Sequence, residues 1–195
     1  MPRLIHLNGP PGIGKSTIAE LYVDGHPGTL NLDIDQIRRL VGGWREDFVW
    51  AGGLVRPIAL NMAATHLRQG FDVVMPQYLG QISELEKFEA VANASAAEFC
   101  EIILLDTKER SVARFNARGL DAEQPWHHQV QEIVERAGGS QHLAELHDQL
   151  MSLLEARPNS IVIDSEPGQV HATFARVLAI LNDEDVLRTF PPDLS

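Results

Sequence analysis

Cysteine is almost missing from this chain. Cys100 is the only one, which excludes an intrachain disulfide framework and a thiolate-built metal centre. At the start of an apolar run, Cys100 reads as a small buried hydrophobe. Long apolar runs are missing as well, and no segment approaches the roughly 20 residues that cross a bilayer as a helix. Met1-Pro2-Arg3 leads straight into a strand pattern with no charged-then-apolar leader, so the expected setting is cytoplasmic, without a membrane partner. Basic side chains are in short supply: 16 Lys and Arg face 27 Asp and Glu, for a formal charge of −11. An acidic surface repels a phosphate backbone, which argues against a large nucleic-acid footprint. It still allows a small anion to be held by a local cluster of arginines. Repeats, low-complexity tracts and linkers are absent. The 195 residues, 44% of them hydrophobic, suit one domain with a full core.

What the chain does have is Gly9-Pro10-Pro11-Gly12-Ile13-Gly14-Lys15-Ser16, followed by Thr17. This run fits G-x-x-x-x-G-K-[ST], the phosphate-binding P-loop. Leu4-Ile5-His6-Leu7 before it reads as a buried strand, and Ser16 to Tyr22 after it as the start of a helix. Glycines let the backbone turn tightly and bring several N–H groups onto one anion. The helix N-terminus adds partial positive charge on the same side. Lys15 would reach the β- and γ-phosphates of ATP, and the Ser16 hydroxyl would help to hold Mg²⁺. The competing reading is a plain Gly/Pro turn with an exposed lysine.

Apolar runs alternate with helical patterns along the rest of the chain, which predicts an α/β fold with a parallel sheet covered on both faces. Strands are expected at residues 3–7, 29–32, 71–75, 100–105 and 160–163. Helices are expected at 15–23, 35–41, 51–69 (with a bend near Pro57), 83–98 (with Ser83-Glu84-Leu85-Glu86 as a capping signal), 108–117, up to Arg136, 141–155 and 170–181. Trp44 to Phe48 reads as a loop, Gly119 to Pro125 as a polar lid segment, and residues 183–195 as a polar tail. In such a sheet ligands sit at the carboxyl ends of the strands, so the residues just after each strand carry the chemistry.

Asp33-Ile34-Asp35-Gln36-Ile37-Arg38 follows the second strand. Two carboxylates two apart in an extended segment point to one side. One can hold Mg²⁺ while the other takes a proton from a substrate hydroxyl, because a metal-bound carboxylate is a poor base. Arg38, a helical turn beyond Asp35, would face the same cleft and could hold an anionic group of the substrate. The alternative is simple helix capping by Asp33 or Asp35, with Arg38 and Arg39 in solvent. After the third strand, Met75-Pro76-Gln77-Tyr78 offers Gln77 to a substrate or to a metal-bound water, or else forms a turn with Tyr78 packed on the sheet edge. After the fourth, Asp106-Thr107 caps a helix with Arg110, Arg114 and Arg118 at four-residue spacing. Arg114 and Arg118, arriving on a closing lid, would neutralise charge on a transferring phosphoryl group; Arg110 reads as surface. Trp44, Arg45, Trp50 and Arg56 fall where an acceptor would bind, though packing accounts for the tryptophans. Adjacent His127 and His128 point in different directions and have no partner spacing for a metal.

These residues resemble the small P-loop phosphotransferases: shikimate and gluconate kinases, chloramphenicol phosphotransferase, and the kinase domain of polynucleotide kinases. Asp33-x-Asp35 is similar to the shikimate-kinase segment in which the first Asp is associated with Mg²⁺ and the second with the substrate hydroxyl. Asp35-Gln36-Ile37-Arg38 is similar to the D-x-x-R of polynucleotide kinases, whose Asp is the base and whose Arg grips a phosphate. Ile163-Asp164-Ser165 resembles the segment flanking the adenine. The glycine-rich loop of shikimate kinases after strand three is absent, which argues against shikimate itself. The resemblance implies a three-layer P-loop NTPase fold, strand order 2-3-1-4-5 with a helical lid. The kinase domain would span residues 1–182, with the lid at about 117–139. ATP would lie on residues 9–17 and Arg114, with Mg²⁺ on Ser16 and Asp33. Lys15, Asp35, Arg114 and Arg118 would be catalytic, and Asp35, Arg38, Arg45 and Gln77 would face the acceptor. The implied activity is transfer of the γ-phosphate to a hydroxyl of a metabolite, nucleoside, sugar or antibiotic, by a monomer or homodimer. The rivals are a polynucleotide 5′-hydroxyl kinase and an ATP-binding regulatory module without transfer. A GTPase is disfavoured, because Thr107-Lys108-Glu109-Arg110 lacks the Asn and Asp of N-K-x-D.

Overall fold

Strand β1 (Arg3–Asn8) carries apolar side chains to both of its faces. Leu4 belongs to one buried cluster, while Ile5 and Leu7 belong to another. A strand alternates sides at every residue, so burial on both faces demands cover above and below, as a parallel sheet flanked by helices supplies. A computed structural model describes residues 1–118, 125–158 and 160–183. It shows five parallel strands in the order β2-β3-β1-β4-β5, with β2 at Leu30–Asn31, β3 at Val73–Met75, β4 at Glu98–Leu105 and β5 at Ile161–Asp164. This is the order expected.

One face is covered by α1 (Lys15–Gly25) and α8 (Val170–Asn182), through Ile18, Ala19, Tyr22, Val177 and Leu181. The other is covered by α3 (Phe48–Arg68), α4 (Ile82–Ala94) and α7 (Gly139–Ala156), preceded by the short α2 (Ile34–Arg38). A third, small cluster of Phe115, Val134 and Leu143 joins α5 (Lys108–Arg118) and α6 (Pro125–Ala137) to α7. Cys100 is buried in the core, and burial pushes its thiol up to about 12. Among the described residues no helix is long and apolar enough to cross a membrane.

Boundaries depart from expectation where local chemistry competes with periodicity. Helix α3 starts three residues early, because the Asp47 carboxylate accepts the Trp50 N–H at 2.9 Å and caps it. The expected extension of α4 to Glu98 is wrong. The backbone turns at Ser95–Ala97, with Ala96 at φ 53°, and Glu98 already pairs with Arg3 in the sheet. The expected cap at Ser83 is wrong too, since α4 begins before it at Ile82. Its Glu84 is engaged instead by Arg56 of α3 at 2.9 Å and by Lys87 at 2.7 Å. Residues 119–124 of the expected lid and 184–195 of the expected tail lie outside the described residues.

Candidate active site

The loop from Gly9 to Ser16 leaves the carboxyl end of the central strand. A Cβ on Gly9 would lie 2.3 Å from the Leu104 carbonyl oxygen of β4, so only glycine passes there. Gly14 precedes α1 with φ +105°, a left-handed conformation. No side chain caps α1 and no acidic residue lies in its first turn. Its first amides and the positive end of its dipole are therefore left to an anion. Asn8, which sequence reasoning passed over, anchors the loop from behind. Its Oδ1 accepts the Gly9 N–H at 2.8 Å and the Leu79 N–H at 3.1 Å, while Nδ2 donates to the Leu79 carbonyl at 2.9 Å. Its place directly before Gly9 was the available signal.

Lys15 folds back over the loop, its Nζ donating to the Gly9 carbonyl at 2.7 Å and the Pro10 carbonyl at 3.0 Å. Burial lowers its pKa to about 8; Asp35 and Asp33 oppose that shift, and the like charge of Arg118 adds to it. The lysine, the two carboxylates and Arg118 thus share one field at the mouth of the loop. Arg118 is likewise penalised by burial and supported by Asp33 and Asp35. A guanidinium stays charged under such conditions.

Asp33 is the N-cap of α2, accepting the Asp35 N–H at 2.9 Å. The capping reading of this residue is therefore correct as geometry, and it coexists with the field that links Asp33 to Lys15. Burial, and then the neighbouring Asp35 carboxylate, push the Asp33 carboxyl up. Asp35 is half-buried and receives the Arg38 Nη1 at 2.5 Å. Arg38 is not in solvent: it is buried, with its guanidinium 3.7 Å from the centre of the Phe48 ring. The fit to Mg²⁺ rests on oxygen donors. No group of three His, Cys, Asp or Glu able to hold a metal occurs among the described residues. The half-buried Ser16 hydroxyl and the Asp33 carboxylate suit a hard cation that also takes phosphate oxygens and water.

Arg114 is tied to the loop from the far side. Its Nη2 donates to the Ile13 carbonyl at 2.9 Å and its Nη1 to the Ser165 carbonyl, with Asp106 3.6 Å away. Ser165 Oγ donates to the same Ile13 carbonyl at 3.2 Å. The arginine stripe is thus split: Arg114 grips the phosphate loop, while Arg110 is exposed as expected. Gln77 is buried, its Oε1 has no hydrogen-bond partner among the described residues, and its backbone carbonyl meets His6 Nε2 at 2.9 Å. Tyr78 does not pack on the sheet edge, because β3 lies inside the sheet. Its hydroxyl donates to the Leu146 carbonyl of α7 at 2.9 Å. Arg45 is exposed above Trp44, and its carbonyl accepts from Arg136 of α6 at 3.1 Å, so its contacts are with the α6 side rather than with Asp35. Trp44 is buried as the packing reading has it, whereas Trp50 is half-exposed. Arg56 is committed to Glu84.

No curated protein matches this chain by sequence. Solved structures share its fold at low identity. A gluconokinase from Sinorhizobium meliloti 1021 is 17% identical with a TM-score of 0.57, covering 92% of this chain and 95% of the other. A Chloroflexus aurantiacus protein assigned to the kinases is 18% identical with a TM-score of 0.63, over 92% and 96%. The tunicamycin resistance protein of Deinococcus radiodurans is 14% identical with a TM-score of 0.59, over 93% and 96%. The architecture is thus that of a P-loop α/β protein, the fold of small P-loop kinases. A family model described as an AAA domain matches residues 4–139, more than half of the length, and the chain belongs to that family.

Proposed function

We propose that this protein is an ATP-dependent phosphotransferase that moves the γ-phosphate of ATP to a hydroxyl of a small molecule. The observation that carries this reading is geometric. A glycine loop at the end of β1 opens onto an uncapped helix start with Lys15 folded over it, and Asp35, held by Arg38 on the neighbouring α2, lies near enough to that lysine to oppose the fall in its pKa. A phosphate-binding loop alone would serve a switch or a motor. A carboxylate within electrostatic reach of the loop lysine offers what transfer to an alcohol needs: a base near the phosphoryl group.

In this reading the amides of residues 9–17 and Lys15 hold the β- and γ-phosphates, and Arg114 keeps the loop in shape while bordering the nucleotide. Asp35 accepts the proton of the acceptor hydroxyl as its oxygen bonds to the γ-phosphorus, and the bond from that phosphorus to the β-γ bridging oxygen breaks to release ADP. Lys15 and Arg118 balance the charge on the transferring group. Ser16 and Asp33 would hold Mg²⁺, which when bound draws charge from the phosphate oxygens. Arg38 and Gln77 face the acceptor. Support also comes from the fold shared with a gluconokinase and with the Chloroflexus aurantiacus protein assigned to the kinases.

The test is an ATP-consumption screen over nucleosides, sugars, aminoglycoside-like alcohols and oligonucleotide 5′-hydroxyls, run beside Asp35→Asn. The expected result is turnover with a small alcohol. In Asp35→Asn that turnover falls by about a hundredfold or more, the usual weight of a general base, at unchanged ATP affinity. Turnover confined to oligonucleotides would favour a 5′-end kinase, and tight ATP binding without transfer to any alcohol would favour a regulatory module.

A further inference from the structure

Residues 52 and 53 are adjacent glycines in the interior of α3, a place where glycine is less favourable than alanine. Neither has a positive φ that would call for glycine. Their surroundings differ. A Cβ on Gly53 would meet nothing within 4 Å. A Cβ on Gly52 would lie 2.9 Å from Arg38 Nη2 and 3.4 Å from Arg38 Nε, and its three nearest atoms all belong to that one guanidinium. The Arg38 head is thus held on three sides. Asp35 accepts from Nη1 at 2.5 Å, the Phe48 ring lies 3.7 Å away, and the bare backbone of Gly52 closes the seat. Arg38 is 4% exposed, and its Nε is buried without a partner among the described residues.

We propose that Gly52 is a positioning residue: its missing side chain makes the recess that seats the Arg38 guanidinium beside Asp35, and so sets where the acceptor is held. This rests on the reading of Asp35 and Arg38 as acceptor-facing groups. Gly52 acts through Arg38, and Phe48 acts with it as the floor of the same recess. An alanine at 52 displaces the head of Arg38 and loosens its grip on Asp35, while the helix itself gains from the exchange. Stability and acceptor binding therefore move independently.

The experiment compares Gly52→Ala with its built-in control Gly53→Ala, alongside Phe48→Leu. Three readouts are taken: thermal midpoint, hydrogen exchange of the Arg38 Nε–H by NMR on ¹⁵N-arginine-labelled protein, and KM and kcat for whichever acceptor the screen identifies. In wild type and Gly53→Ala the buried Nε–H exchanges slowly and the acceptor KM is the same. In Gly52→Ala the exchange speeds up at least about tenfold and the acceptor KM rises by a similar factor, with ATP affinity unchanged, a split that a purely structural role does not produce. Gly52→Ala behaving as Gly53→Ala in exchange and KM would overturn the proposal. If Gly52→Ala does not fold, Phe48→Leu decides: faster exchange upholds the recess and wild-type exchange refutes it. If no acceptor is found, the exchange readout still decides the role of Gly52, and the missing turnover counts only against the kinase reading.

Discussion

Asp33 Oδ1 accepts the backbone N–H of Asp35 at 2.9 Å, so one candidate catalytic carboxylate builds the turn that presents the other. Structure and chemistry are therefore entangled at this residue, and the choice of substitution separates them. Asn caps a helix as well as Asp does, whereas Ala does not and costs about 1 kcal/mol. Asp33→Asn is expected to keep the stability of the wild type while raising the Mg²⁺ concentration needed for half-maximal turnover by about tenfold or more. Asp33→Ala is expected to lower stability as well, by roughly the value of a cap. Urea midpoints and Mg²⁺ titrations of turnover check both. An unchanged Mg²⁺ requirement in Asp33→Asn would leave Asp33 a cap and nothing more.

Lys15 gives ATP binding a particular pH dependence. Its pKa is lowered to about 8, chiefly by burial. A triphosphate beside the ammonium favours the charged form, so the complex holds the proton to higher pH than the free protein does. Between about pH 8 and the higher pKa of the complex, binding must then take up a proton. The sign follows: ATP affinity is flat below about pH 8 and weakens above it, by up to about tenfold per pH unit. Isothermal titration in two buffers of different ionisation heat would register the proton uptake directly. Lys15→Arg, whose guanidinium does not titrate in this range, is expected to bind more weakly overall but without the slope. A slope that persists in Lys15→Arg would assign the titration to another group.

Much of this was legible in the sequence, and the physical reason is locality. Leu4-Ile5-His6-Leu7 and the other apolar runs announced the strands because parallel strands are buried on both faces. Gly9 to Ser16 announced the phosphate loop because its function lives in consecutive amides. What was not legible depends on elements meeting across the fold. Asp33 read as a cap or as a metal-side residue because the same short acidic segment suits either; in space it is the N-cap of α2. Ser83 read as a cap, yet its neighbour Glu84 is claimed by Arg56 of another helix. Arg114 was indistinguishable from Arg110 along the helix, and only packing against Ile13 and Ser165 sets it apart. Tyr78 meets α7 some seventy residues away in the chain. The recess at Gly52 exists only once α2 and α3 are side by side, so no local pattern in Gly52-Gly53 could mark one glycine above the other.

His6 provides a stability test that touches the site only through its support. Strand alternation turns it toward the face that carries α3, α4 and α7, where it is fully buried and its Nε2 donates to the Gln77 carbonyl at 2.9 Å. Donation from one ring nitrogen is compatible with the neutral ring. Burial first of all, with Lys15 and Arg157 adding to it, lowers the pKa from 6.5 to about 4 against the hydrogen bond to Gln77. The folded pKa therefore lies below the unfolded one. Between these values the unfolded chain binds the proton that the folded protein refuses, so stability falls as pH drops from about 6.5 to about 4 and loses nothing further from this group below that. The loss assigned to His6 is roughly 3 kcal/mol at the acid end of the window, at about 1.4 kcal/mol per pKa unit. His6→Asn keeps a donor and has no charge to gain. It is expected to be less stable than wild type at pH 7 because of the volume removed, yet to narrow that gap steadily down to pH 4. Urea unfolding of both proteins across the window measures the difference free of the carboxylates that titrate in each. A gap that stays constant from pH 6.5 to 4 would mean that His6 takes up its proton in the folded protein as readily as in the unfolded chain, and that the contact with Gln77 is made by a charged ring.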